Sequence, residues 1–282
     1  MKKWLLVPAV SLLALSACGS DETDNSSESV NVDGDEQTEQ NTEVDSETED
    51  TENEADENED TASADEGEDE EVEVVYEINP NMWTVEPIEG TDADPEVVLL
   101  TIDDAPDKHG VEMAETLKEL DAPAIFFVNA HFINTDEKAD ELKQIHEMGF
   151  EIGNHTMSHP NLREISEEEQ YNEIVGLNDK IEDIIGERPR FFRAPFGANT
   201  DYVKEVVEQE DMTLMNWTYG YDFTEGYMTE EAIADIMVNA PELGNGGNLL
   251  MHDREWTNAA LEDIVTGLQD KGYGFVDPDQ LK

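Results

Sequence analysis

Basic residues are scarce in this chain. Fifteen Lys and Arg stand against 72 Asp and Glu in 282 residues, a formal net charge of −57. Nucleic-acid phosphates repel so anionic a protein, which excludes DNA or RNA as a partner. Cysteine is nearly absent: Cys18 is the only one, so no internal disulfide and no cysteine-based zinc cluster can form. Long apolar runs are missing too. Leu5 to Leu15 covers eleven residues, broken by Pro8 and Ser11, which is too short to span a bilayer. The apolar share of 37% is low for a compact globule and points to a part of the chain that does not fold.

What is present at the N-terminus reads as targeting. Lys2 and Lys3 precede the apolar run, as in a secretory signal peptide. The run ends Leu15-Ser16-Ala17-Cys18, which resembles the bacterial lipobox. That resemblance implies cleavage after residue 17, lipidation of Cys18, and anchoring to the extracellular face of the cell membrane. Two or more acyl chains, at about 0.8 kcal/mol per buried CH2, give stable anchoring.

Residues 19–71 hold 25 Asp or Glu, no Lys or Arg and no aromatic residue. Such a segment cannot bury enough apolar surface to offset its ordering entropy. The expectation is a disordered acidic tether over 18–71, with a neutral-chain span of about 40 Å and further extension by self-repulsion. A lead-in segment containing Trp83 follows over 72–95, then a catalytic domain over 96–282. These later residues still carry a net charge of about −34.

From Pro95 onward, apolar runs alternate with amphipathic ones. Buried strands are predicted at Val97–Ile102, Ala124–Val128, Phe150–Gly153, Phe191–Phe192, Thr213–Trp217, Asn248–Met251 and Gly274–Val276. Helices are predicted at His109–Leu120, Asp136–Met148, Ser166–Ile185, Thr200–Glu210, Thr229–Asn239 and Thr257–Lys271. Ser166 followed by Glu169 is a capping-box signal. Seven strands alternating with six helices describe an α/β fold with a parallel sheet, open or closed into a barrel.

In such folds chemistry gathers at the carboxyl ends of strands. Here those ends carry Asp103-Asp104, His155-x3-His159, Arg193-Ala194-Pro195-Phe196-Gly197, Trp217 to Phe223, and His252-Asp253. Two carboxylates after an uncharged apolar run call for a cation nearby. Two histidines and one carboxylate suit a divalent metal with open positions. Strand alternation would point Asp103 and Asp104 to opposite faces, one for metal and one for another task.

These residues resemble the five ordered motifs of the NodB-type polysaccharide deacetylases, carbohydrate esterase family 4. The motifs read Thr101-Ile102-Asp103-Asp104-Ala105, His155-Thr156-Met157-Ser158-His159, Arg193-Ala194-Pro195-Phe196-Gly197, Asp222-Phe223 and Leu249-Leu250-Met251-His252. The resemblance covers roughly residues 96–277 and implies a distorted (β/α) barrel of about seven strands. It implies one divalent metal on Asp104, His155 and His159, zinc first, with cobalt, iron or nickel as alternatives. It makes Asp103 the general base, tuned by Arg193, and His252 the general acid, oriented by Asp222. The Phe196 N–H would help hold the oxyanion, and Phe223 would wall the substrate. The implied substrate is an acetylated polysaccharide. Peptidoglycan is the nearest such polymer for a protein tethered outside a cell, and chitin-like glycans, exported surface polysaccharide and O-acetylated xylan are the alternatives. A wall-binding protein without activity is the competing class; the presence of Asp103 and His252 argues against it.

Two positions depart from the family pattern. Ala105 stands where glycine is usual, which would restrict the turn if that position used positive φ. Phe223 stands for tryptophan and loses an indole donor. Outside the motifs, Trp217 reads as core because it lies inside a predicted strand, and Tyr221 as the sugar-contact candidate. His146 reads as solvated; His109 and His131 follow strand ends without a motif and are candidates to face the cleft. Asp253 falls beside the site with no assigned role, and Trp256 borders the groove or packs under the last helix.

Overall fold

In a computed structural model the described residues are 72–282. The expected signal peptide, the expected lipidation site Cys18 and the expected acidic tether lie outside them. The chain then runs β1 (Tyr76–Ile78), β2 (Val85–Pro87), β3 (Val97–Ala105), α1 (Gly110–Glu119), β4 (Ala124–Val128), α2 (Asp136–Glu147), β5 (Glu151–Asn154) and α3 (Glu167–Ile185). It continues β6 (Phe191–Phe192), α4 (Asp201–Gln209), β7 (Thr213–Leu214), α5 (Glu230–Asn239), β8 (Gly247–His252), α6 (Glu255–Asp270) and β9 (Gly274–Phe275).

The central strands are apolar on both faces, as a parallel sheet covered on both sides requires. All five residues of β4 are buried, and eight of the nine in β3. Seven strands pair in the order β7-β6-β5-β4-β3-β8, with β9 also on β3, and every pairing is parallel. The sheet curls into the expected distorted barrel. Its open side is bridged past β7: Thr218 N–H donates to Asn248 O at 2.8 Å and Leu250 N–H to Tyr219 O at 2.9 Å. Gly220 makes this approach possible, since a Cβ there would strike the Leu250 carbonyl.

Alternation along β3 and β4 sorts the core into two faces. Leu100, Ile102 and Phe126 pack toward the helices, in one cluster with Leu177, Leu261 and Ile264. Leu99, Ile125 and Phe127 face the other way and cluster with Tyr76, Val85 and Leu281. The lead-in is therefore a plug for the enclosed face, built as an antiparallel β1–β2 pair that the sequence reading left without secondary structure. It is tied down by Val85 N–H to Gly246 O (2.8 Å) and Lys282 N–H to Tyr76 O (3.0 Å).

Helix starts follow their caps. Ser166 and Glu169 form the expected capping box on α3. Thr135, Thr200 and Thr229 each accept an N–H three residues on. The predicted strand over 213–217 ends at Leu214, because the chain leaves β6 there to reach β8. α6 begins at Glu255, two residues earlier than expected. Among the described residues no helix is long and apolar enough to cross a membrane.

Candidate active site

Every predicted motif contributes at least one lining residue to one cleft of about 290 Å³ at the carboxyl ends of the strands. Asp103, Asp104, His155, His159, Phe196, Phe223 and His252 line it. Arg193 and Asp222 lie fully buried behind it.

The two aspartates do not point apart. β3 shifts register between Asp103 and Ala105, and Asp104 adopts φ 60°. That irregularity turns both carboxylates into the same cleft, overriding the strand alternation. It also answers the concern over Ala105. The positive φ falls on Asp104, and Ala105 is a buried strand residue, so its methyl restricts nothing.

His155 and His159 flank a strained turn. Thr156 and His159 hold φ of 71° and 58°, a conformation that β-branched and bulky residues adopt only when the surroundings enforce it. The enforcement is visible. Asn154 Oδ1 accepts the Thr156 N–H at 2.8 Å, and Thr156 Oγ1 accepts the His159 N–H at 3.1 Å. Buried Asn129 donates to the carbonyls of both His155 and Thr156.

Donor atoms of Asp104, His155 and His159 lie within 4.8 Å of one another. His155 Nδ1 sits 2.7 Å from the Arg193 carbonyl, which can only accept. The imidazole therefore carries its proton on Nδ1 and offers the Nε2 lone pair to the cleft. Burial lowers the His155 pKa, and the nearby Asp103 and Asp104 carboxylates only partly offset it, which favours the neutral ligand form. Burial pushes Asp104 upward, but His155, His252, His159 and Arg254 together hold it below the usual carboxylate range. Two imidazoles and one carboxylate so placed fit a divalent cation.

Asp103 is fixed by Arg193. Nη1 of Arg193 lies 2.6 Å from Asp103 Oδ1 and 2.8 Å from Thr101 Oγ1. Nη2 donates to Asn216 O and Asn248 Oδ1, and the guanidinium carbon sits 4.3 Å over the Phe127 ring. Burial drives the Arg193 pKa down against the pull of the Asp103 carboxylate; both Nη groups have acceptors, while the buried Nε has none.

On the other side, Asp222 grips His252 twice. Its Oδ1 is 2.8 Å from His252 Nδ1 and its Oδ2 accepts the His252 N–H at 2.6 Å. Thr257 Oγ1 and Trp256 Nε1 hold Asp222 in turn, at its Oδ2 and its carbonyl. Burial opposes the imidazolium, but the Asp222 hydrogen bond and charge outweigh it and raise the His252 pKa above the ordinary value.

The structure revises several expectations. Trp217 is half-buried and lines the cleft, since β7 ends before it. Tyr221 is not a cleft residue; its hydroxyl donates to Glu242 Oε2 and its ring packs on Tyr219 and Tyr227. Asp253 is an anchor: it accepts the N–H groups of Asp107, Lys108 and His109, fixing the loop after β3. Trp256 props Asp222. His109 pairs with Glu112, His131 is exposed against Phe132, and His146 is half-buried; none of the three lines the cleft. Sequence reasoning missed Arg254, whose Nη2 lies 2.8 Å from Asp104 Oδ2. Its only signal was a cation two residues past His252. Phe196 and Phe223 stand 66% and 51% exposed on the rim, edge-on to His159 and His252.

A parallel α/β barrel with paired carboxylates, paired histidines and a buried His–Asp couple at its strand ends is a hydrolytic type of architecture. The polysaccharide deacetylase family profile matches residues 90–215, and the chain belongs to that family. Among its relatives is the peptidoglycan-N-acetylmuramic acid deacetylase PdaC of Bacillus subtilis, 31% identical over 196 residues, covering 69% of this chain and 40% of that protein. A peptidoglycan-N-acetylglucosamine deacetylase of Bacillus cereus is 31% identical over 189 residues, covering 64% and 68%. The solved PdaC structure matches with a TM-score of 0.59 at 30% identity, over 67% of this chain and 91% of that one. A CE4 family pseudoenzyme of Bacillus anthracis matches at 26% identity and TM-score 0.59, over 66% of each chain. The chain spans between 40% and 66% of the length of the first three curated relatives it matches.

Proposed function

We propose that this protein is a metal-dependent deacetylase of cell-wall polysaccharide, acting on N-acetylhexosamine residues of peptidoglycan. Family membership alone does not carry this reading, because a pseudoenzyme shares the fold. What carries it is the meeting in one cleft of the Asp104–His155–His159 cluster, Asp103 held by Arg193, and His252 held by Asp222.

Amide hydrolysis requires a water made nucleophilic, charge relief at the acyl oxygen, and a proton for the departing amine. A divalent cation on Asp104, His155 and His159, zinc being the first choice, supplies electrostatic polarisation of the acyl group and the water. Asp103 takes the proton as the water oxygen bonds to the acyl carbon; the Arg193 contact orients its carboxylate. His252, protonated through Asp222, delivers its proton to the amide nitrogen as the C–N bond breaks. Acetate and a free sugar amine leave. The Phe196 N–H donates to the acyl oxygen as negative charge develops there. Phe196, Phe223 and Trp217 supply apolar walls for the sugar.

In this reading, lipidation of Cys18 and the acidic 18–71 segment would hold the domain outside the cell membrane, within reach of the wall. The experiment is acetate release by the fragment from Val72 onward, with N-acetylglucosamine oligomers, purified peptidoglycan and O-acetylated xylan, with and without divalent metal. Metal-dependent release from the first two supports the reading. Release from xylan alone makes the protein an esterase, and none from any substrate favours a wall-binding role.

A further inference from the structure

Beside the cleft lies a second groove of about 490 Å³. The two adjoin: Phe196 and Trp217 line the cleft, and their neighbours Gly197 and Asn216 line the groove. The groove lining contains Arg163 and Lys204 and no carboxylate. That is a local reversal of sign in a chain with 72 acids and 15 bases. Arg163 is exposed, donates to Gly197 O at 3.1 Å and enters no ion pair among the described residues. Lys204 meets Asp201 at 3.1 Å, but both are solvent-exposed, so the pair holds the ammonium weakly.

The far wall is Trp83, half-buried and held at φ 61°. Bulky residues adopt that conformation only under constraint. The constraint is the turn after β1. Trp83 N–H donates to Asn79 O at 2.8 Å, and Asn79 Oδ1 accepts from Asn81 and Met82 N–H at 2.9 and 3.1 Å. The plug that seals the barrel therefore also presents an indole to the groove. Asn199 and Asn216 add amide donors and acceptors suited to hydroxyl groups.

We infer that this groove is a second glycan subsite that takes a sugar bearing a carboxylate, its ring against Trp83 and its carboxylate between Arg163 and Lys204. The inference rests on the deacetylase reading and specifies which glycan that reading concerns. It explains how so acidic a protein holds an anionic polymer: repulsion is offset where the neighbouring residue of the strand must lie. A lactyl ether and a uronic acid share the required chemistry.

The test uses tetramers of equal length: neutral N-acetylglucosamine, an alternating lactyl-ether form, that form with its carboxyl amidated, and a uronate-containing form. The quantity read is the ratio of kcat/KM on each carboxylate form to that on the neutral one. The wild type should prefer a carboxylate form to its neutral counterpart, and the preferred one names the source. Arg163→Ala with Lys204→Ala should cut the ratio about tenfold, mostly through KM, a factor worth 1.4 kcal/mol. Trp83→Ala should raise KM on all tetramers, and Trp83→Tyr, which keeps a stacking face, should restore it. Lys204→Ala alone, a fully surface change, covers any folding defect in the double variant. An unchanged ratio in the double variant, or equal wild-type rates on charged and amidated forms, overturns the subsite. If the wild type releases no acetate from any tetramer, the deacetylase reading falls instead, and calorimetric binding of charged against amidated tetramer still decides the groove.

Discussion

Replacing Asp222 with Asn isolates the coupling between the buried carboxylate and the cleft histidine. Asp222 is fully buried and uses both oxygens: one for His252 Nδ1, the other for the His252 N–H and the Thr257 hydroxyl. Asn keeps the shape but can offer only one acceptor oxygen. If that oxygen stays with the backbone N–H and Thr257, an amide donor faces Nδ1 and the protonated ring loses its partner. A hydrogen bond to a charged group is worth about 1.5–3 kcal/mol, so the proton affinity of His252 falls by roughly 10- to 150-fold. The burial that already opposes the imidazolium remains. The sign follows. His252 must be protonated to act as an acid, so activity is lost as pH rises through its raised pKa, and the variant must lose it at lower pH. At neutral pH the rate falls by up to about 10- to 150-fold, the factor by which the protonated fraction of His252 can drop. The assay is a kcat profile over pH with the oligomer substrate. Thr257→Val serves as a control, since it removes one donor to Oδ2 and leaves the Nδ1 contact. A variant whose alkaline limb stays at the wild-type pH refutes the reasoning, whatever its rate. So does an equal displacement in Thr257→Val.

Four further outcomes are expected. Arg193→Met leaves Asp103 buried without its cation, and breaking such a pair costs about 3–5 kcal/mol; denaturant unfolding should show that loss along with loss of activity. Chelation should abolish acetate release and added divalent metal restore it; His159→Ala should weaken metal binding measured directly by calorimetry, while the fold, read by circular dichroism, persists. Cys18→Ala should move the protein from the membrane fraction to the medium, because a single unlipidated cysteine position removes the anchor; retention in the membrane would refute the lipoprotein reading.

The legible parts of the fold were those governed by local rules. The runs Val97–Ile102 and Ala124–Val128 are apolar at every position but Thr101, and such runs have little choice but a buried strand. Ser166, Thr200 and Thr229 announce helix starts because their side chains bond N–H groups three residues away. The β1–β2 plug was illegible, since two three-residue strands carry no usable periodicity and are defined by what they cover. Strand β7 was overestimated because Met215 and Trp217 flank Asn216 in a strand-like alternation whether or not they pair.

The same division runs through the site. Sequence alone determined which side chains are available and in what order: Asp103-Asp104, His155 and His159, Arg193, Asp222, His252. Motif order is a property of the chain, and the α/β rhythm puts each motif at a strand end. Tertiary structure decided where those side chains aim. The register shift at Asp104 turned two adjacent carboxylates into one cleft. The crossing from β7 to β8 brought Trp217 to the cleft and sent Tyr221 to Glu242. Arg254 met Asp104 across 150 residues, and Trp83 met Arg163 and Lys204 at a groove that no motif marks. Such contacts depend on angles and distances between elements far apart in the chain. Local preference sets the elements, and only their packing sets which residues meet.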